Sequence, residues 1–343
     1  MSTEPGRRPP TEVLSPQGQA TLAAPVGPVL AGEKSTRRGD RIFSGLATGA
    51  SVLLLVIIVL IALFLFWKAI PAFQANTVNF ITEKNWFPDS TPSVWGIAAV
   101  AWGTVLSSIL ALIMSVPVAV GIALFIAHYA PRRMASGLGY VVDLLAAVPS
   151  VVYGLWGLYY LVPHMVGLTN YLADHFGWFP LFYVGPDGTT ARRTMFNASV
   201  VLAVMILPIV AAVSREVFLQ VPTSHIEGAL ALGATRWETM RMAVLPFGRS
   251  GVISASMLGL GRALGETIAI AMVLSTSYVV SLHILEPGGN TIAANIALQY
   301  GFAQSIGISA LIASGLVLFF ITLIVNMTAR WIIGRRAAFS GAN

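Results

Sequence analysis

The chain has no cysteine, which excludes disulfides, thiolate nucleophiles and Cys-ligated zinc. Charge is also scarce: 10% of the 343 residues are Asp, Glu, Lys or Arg, against about 25% in ordinary soluble domains. With 56% of residues hydrophobic, too little polar surface remains for a soluble domain, and the composition is that of a polytopic membrane protein. No HExxH pair occurs, and His128, His164, His175, His225 and His283 are scattered, so metalloprotease chemistry has no support. No G-x-S-x-G elbow is present either. Gly27–Ser35 (GPVLAGEKS) comes close to a phosphate loop, but Glu33 intrudes before Lys34. It also lacks the strand and helix that would aim N–H groups at phosphate. No ATP site, cofactor or metal is expected in this chain.

What is present is a series of apolar stretches of about 20 residues, the length needed to cross a bilayer. Phe43–Trp67, Gly96–Ala127, Gly139–Val162, Phe196–Ser214, Gly251–Ser281 and Ile306–Ile333 predict an all-α polytopic fold of about six transmembrane helices. Pro117 and Pro149 are expected to kink theirs. Residues 1–42 read as a disordered basic tail rather than a cleavable signal peptide. Residues 43–95 read as a first helix and outer loop, with Trp86, Phe87 and Trp95 as interfacial anchors. Residues 96–336 form the core, with a polar loop at 216–250, and 337–343 a short tail. Met205, Met257 and Met272 read as packing or lipid-facing residues, and Asp143 as the partner of Arg132 or Arg133.

The basic residues orient this topology. Fifteen of 20 fall in the tails and in the loops on one side: Arg7, Arg8, Lys34, Arg37, Arg38, Arg41, Arg132, Arg133, Arg215, Arg236, Arg241, Arg249, Arg330, Arg335 and Arg336. Four lie on the other side: Lys68, Lys84, Arg192 and Arg193. The asymmetry predicts that both termini and the 216–250 loop are cytoplasmic. It also accounts for the net charge of +6 without a nucleic-acid partner.

The polar loop is distinctive. Glu227–Pro246 (EGALALGATRWETMRMAVLP) mixes charge, small residues and helix formers. Its first half reads as a helix whose small residues Gly228, Ala229, Ala231, Gly233 and Ala234 admit a second backbone, and Pro246 is expected to end the segment. An amphipathic helix resting on lipid headgroups is the simpler alternative. The twentieth basic residue, Arg262, lies about 16 Å into the fifth apolar stretch by helical rise, and Glu266 about 22 Å. An unpaired charge at that depth costs roughly 2.5–3.5 kcal/mol on insertion scales. Their spacing places both on one helical face, where they can pair. They read either as a neutralised structural pair or as a charged step on a solvated pathway, in which Arg262 offers its fork of donors to an anion.

Glu227, Ala229, Gly233, Leu245 and Pro246 resemble the "EAA loop" of ABC importer permeases, with Gly228 and Ala243 departing from the usual Ala and Ile. GRALGET (261–267), VPSVVYGLWGLYYLVP (148–163) and the run Met205–Glu238 resemble the C-type permeases of phosphate-specific ABC importers. That resemblance implies the type I importer fold, with Glu227, Gly228, Ala229, Gly233, Arg236, Leu245 and Pro246 coupling to a cytoplasmic ATPase. It implies Arg262 and Glu266 on the substrate pathway. It further implies an A-type permease partner, two copies of an ATPase that holds ATP and Mg, and an extracytoplasmic phosphate-binding protein, all at the cell membrane. The rival expectation is a self-sufficient ion-coupled carrier using Glu266 as a proton site; an intramembrane enzyme, lacking any nucleophile–base arrangement, stands third.

Overall fold

The computed structural model describes residues 38–185 and 192–337. The tail 1–37 with its Gly27–Ser35 stretch, and residues 186–191 and 338–343, lie outside the described residues. The chain divides into two compact units, Met1–Ile57 and Ile58–Asn343. The described part of the first is the opening half of helix α1 (Arg38–Ala75), which begins inside the stretch read as tail.

The second unit continues α1 and adds a two-stranded hairpin, β1 (Trp86–Phe87) and β2 (Val94–Trp95). Helices follow: α2 (Ala98–Tyr129), α3 (Arg132–Ala146), α4 (Ser150–Phe176) and α5 (Met195–Leu219). Then come α6 (Thr223–Ala231), α7 (Arg236–Leu264), α8 (Ile268–Val273), α9 (Ile292–Gln299) and α10 (Ser305–Ala337). Among the described residues six helices, α1, α2, α4, α5, α7 and α10, are long and apolar enough to cross a membrane. The fold is the expected all-α one.

Helix α5 is the axis of the bundle, the most buried of the six, and packs mainly against α2 and α7. Thr104, Ser108, Ala111, Ser115, Ala119 and Ala123 recur at intervals of three or four along α2, and all are at most 1% exposed. Lipid tails are as apolar as leucine, so helices in a bilayer associate through close van der Waals packing, which small residues permit. Gly154 and Gly157 do the same for α4: a Cβ at the first would strike Ala269 on α8, and at the second Val201 on α5.

Two expected spans are redrawn. The third is not Gly139–Val162: the chain breaks at Ala147–Pro149, leaving α3 as a separate amphipathic helix and α4 as the span. Asp143 pairs with Arg215 of α5 at 3.4 Å, not with Arg132 or Arg133, and Arg215 also holds Glu216 at 2.7 Å. Gly139 lets the Arg215 guanidinium lie against α3. The fifth is not one helix to Ser281 either, because α7 ends at Leu264 and the six-residue α8 restarts the path.

Among the described residues three helices contain a widened turn, each closed by an i→i−5 bond and followed at once by proline. Ala130 N–H donates to Phe125 O before Pro131, Val162 to Gly157 O before Pro163, and Leu245 to Met240 O before Pro246. A wider turn moves aside the carbonyl that a proline ring would strike. This corrects the expectation that Pro246 ends the coupling segment: α7 runs through it.

The hairpin is also more than an interfacial loop. Trp86 and Trp95, expected as anchors, are 5% and 0% exposed, in a cluster with Ala69, Ala72 and Leu311. Phe87 alone of the three is exposed. In the hairpin turn, Asp89 accepts the backbone N–H of Gln304 (2.9 Å) and Gly307 (2.7 Å), capping α10 from across the fold. A side chain at Gly307 would collide with that carboxylate.

Candidate coupling segment and membrane break

After α5 the chain turns at Gln220–Pro222 and forms α6. Ile226 packs against a cluster containing Phe218, Val221, Met240 and Val244, and His225 meets Phe247 edge-on. The short helix is thus tethered along one side. Glu227, Gly228, Gly233, Arg236 and Pro246 are exposed, and Ala229 and Leu245 half-buried. The segment also exposes large apolar side chains: Leu232 is 90% exposed and Trp237 61%. Sequence reading passed over both, although an apolar residue in a polar loop is itself a sign of contact.

Gly233 has a conformational role that the small-residue argument did not anticipate. It adopts φ +84°, and a Cβ there would meet nothing within 4 Å. Its N–H donates to Leu230 O (2.9 Å) and that of Ala234 to Ala229 O (3.2 Å), the paired bonds of a Schellman helix end. Two residues on, Thr235 opens α7 in a capping box. Glu238 N–H donates to Thr235 Oγ1 (3.3 Å), and Thr235 N–H returns a bond to the Glu238 carboxylate (2.7 Å). The T-x-x-E spacing was visible in the sequence and went unused. A helix stop and a helix start, three residues apart, fix the angle between α6 and α7.

The second region lies where α7 ends. Arg262 sits in its last turn, half-buried, while Glu266 is past its end and 7% exposed. The two are therefore not neighbours on one helix, and among the described residues they form no ion pair. Each charge is instead suited to a helix end. A cation is favoured at the C-terminus of α7, and a carboxylate before the first turn of α8. Glu266 Oε1 accepts the N–H of Ala269 (3.1 Å), and Thr267 Oγ1 donates to Gly265 O (3.1 Å). Irregular backbone at membrane depth persists only where such groups are satisfied, within protein or beside a hydrated cavity. Arg262 is half-buried at the end of α7 and takes no part in the ion pairs among the described residues. The Tyr153 hydroxyl donates to Leu145 O (2.8 Å), tying α4 to the end of α3; sequence reading did not single it out.

Residues 119–336 match the family described as "Binding-protein-dependent transport system inner membrane component". The chain belongs to that family of non-catalytic membrane subunits. It is 46% identical over 303 residues to the phosphate transport system permease protein PstC 2 of Mycobacterium tuberculosis, covering 88% of this chain and 94% of that one. It is 40% identical to the phosphate transport system permease protein PstC of Xylella fastidiosa, covering 89% and 93%. Among solved structures it is similar to the inward-facing MetNI methionine ABC transporter (TM-score 0.49, 16% identity, 70% and 94% covered). It is also similar to a bacterial importer of the acidic polysaccharide alginate (TM-score 0.49, 17% identity, 85% and 99% covered).

Proposed function

We infer that this chain is the transmembrane permease subunit of an ATP-driven inorganic phosphate importer, forming half of the translocation pathway. The observation that carries the reading is the exposed, rigidly angled segment α6–α7 on a six-helix membrane subunit whose relatives are phosphate permeases. An ion-coupled carrier needs no such docking surface, and the family does not favour one. In this reading both termini are cytoplasmic. Partners are an A-type permease, a phosphate-binding protein outside, and an ATPase dimer that supplies the ATP and Mg chemistry.

The geometry supports a mechanism. Glu227, Gly228, Ala229, Gly233, Arg236, Leu245 and Pro246, with Leu232 and Trp237, present α6 and the start of α7 to the ATPase. Because α7 continues from Arg236 to Leu264, a tilt imposed at the docking end travels about 40 Å along one helix. It arrives at the break beside Arg262. There the guanidinium offers a positive step to a phosphate in transit, and Glu266 holds the restart of α8.

Two substitutions test the two ends separately. Glu227→Lys reverses charge on the docking face, and the expected result is loss of the ATPase from the purified complex with membrane insertion unchanged. Arg262→Gln is expected to leave the complex assembled and lower phosphate uptake by about tenfold or more, the worth of one charge-assisted contact at ~1.5–3 kcal/mol. An intact ATPase complex with normal coupling in the first variant, or normal uptake in the second, would overturn the corresponding assignment.

A further inference from the structure

Helix α3 is too short to span a bilayer, at about 22 Å by helical rise. Its Gly139 and Val142 are buried, and its Tyr140, Val141 and Leu144 are 74%, 53% and 71% exposed. It starts at the cytoplasmic end of α2, near the root of the coupling segment: Leu124 of α2 packs in one cluster with Phe218, Met240 and Val244. An amphipathic helix so placed lies in the headgroup region with its apolar face toward the acyl chains.

Between α2 and α3 runs a groove of about 540 Å³. Its walls include Val118, Gly121 and Phe125 from α2, and Leu138, Val141 and Val142 from α3, with no polar side chain among its lining residues. Gly121 leaves the floor bare, since a Cβ there would meet nothing within 4 Å. The first turn of α3, which follows the groove's α2 wall after Pro131, carries Arg132 and Arg133. Both are exposed, and neither takes part in an ion pair among the described residues, where the basic partners are Arg215 and His283.

We propose that this groove is a binding site for an anionic phospholipid, with an acyl chain between α2 and α3 and the headgroup phosphate on Arg132 and Arg133. The proposal commits to lipid because a second protein surface would bury two unpaired guanidinium groups, whereas a lipid phosphate satisfies them at the depth where they sit. It is independent of the transported substrate. The bound lipid would brace α3 against α2 beside Gly139 and Asp143, the residues through which Arg215 joins α3 to α5.

The test is photolabelling of the purified importer with a photoactivatable phosphatidylglycerol, beside a phosphatidylcholine probe of the same chains. The expected result is preferential phosphatidylglycerol labelling of the peptides carrying residues 118–126 and 138–142. Labelling should fall about fivefold for each of Arg132→Gln and Arg133→Gln, at the worth of one basic residue near an anionic surface. Gly121→Leu, which fills the floor, should abolish it. The arginine variants alter exposed side chains at a helix end and keep the test informative should Gly121→Leu fail to assemble. Equal labelling by both probes, labelling unchanged in the arginine variants, or crosslinks from the groove to the partner permease in place of lipid would each overturn the proposal.

Discussion

Gly233 and Gly228 sit five residues apart in the same exposed segment, and the sequence offers one explanation for both: small residues that admit a partner backbone. The structure separates them. Gly228 lies inside α6 with open space where a Cβ would go, whereas Gly233 holds a positive φ at the helix end. A left-handed conformation costs a side-chain-bearing residue about 1–2 kcal/mol, and alanine inside a helix gains roughly 1 kcal/mol over glycine. Gly233→Ala is therefore expected to loosen the α6–α7 angle and weaken ATPase retention, with Gly233→Asn recovering part of the loss because Asn tolerates that conformation. Gly228→Ala should be neutral or stabilising to the segment. Co-purification of the ATPase with each variant decides the matter. Equal damage at both positions would return the segment to a purely steric docking face. The motif's residue types were legible in the sequence, but a glycine's φ is set by the path of the chain on either side of it and was not.

At the scale of elements, long apolar stretches were legible and their interruptions were not. Hydropathy alone joined α3 to α4 and α7 to α8. The actual breaks depend on which groups satisfy the freed backbone, and those groups come from elsewhere in the fold or from a side chain read in another role, as Glu266 was. Pro246 misled in the opposite direction, because a widened turn before it carries the helix on, as another does before Pro163. The hairpin was hidden for a related reason. Its strands have two residues each, and its tryptophans read equally well as interfacial anchors until tertiary packing buries them. Asp89 gives the hairpin a measurable role. Asp89→Ala removes a cap from the N-terminus of α10, a loss of about 1 kcal/mol. Hydrogen exchange at the Gly307 amide should accelerate roughly fivefold, with little change in the middle of α10. An unchanged rate would mean that solvent satisfies that helix end as well as the carboxylate does. Glu83, at the base of the same hairpin, accepts the backbone N–H of Asn85 and Lys84. Those bonds hold its carboxyl below the usual range, the Asn85 amide contributing most. Its contribution is complete above the ordinary carboxylate pKa and is lost as pH falls through the depressed value, so a pH near neutrality leaves it intact.

At the scale of the whole molecule, the relation between Arg262 and Glu266 decides how the membrane charges are tolerated, and it bears on transport. Had they formed a buried pair, either single substitution would strand a charge, and Arg262→Leu combined with Glu266→Leu would relieve both at once. In the fold they have separate supports, the end of α7 for Arg262 and the Ala269 amide for Glu266. Glu266→Gln keeps an acceptor for that amide, so assembly should survive. Glu266→Leu orphans the amide at about 1–3 kcal/mol. The two leucine substitutions should then act nearly additively on complex stability, within about 0.5 kcal/mol, as expected for groups with no shared partner. If Arg262 has the proposed pathway role, the double variant should remain defective in phosphate uptake, because the positive step would be gone whatever becomes of the cap. Thermal stability of the purified complex, measured with radiolabelled uptake in proteoliposomes, reads both quantities. Recovery of stability and uptake together in the double leucine variant would show that the charges neutralise each other in the working protein and would remove Arg262 from the pathway.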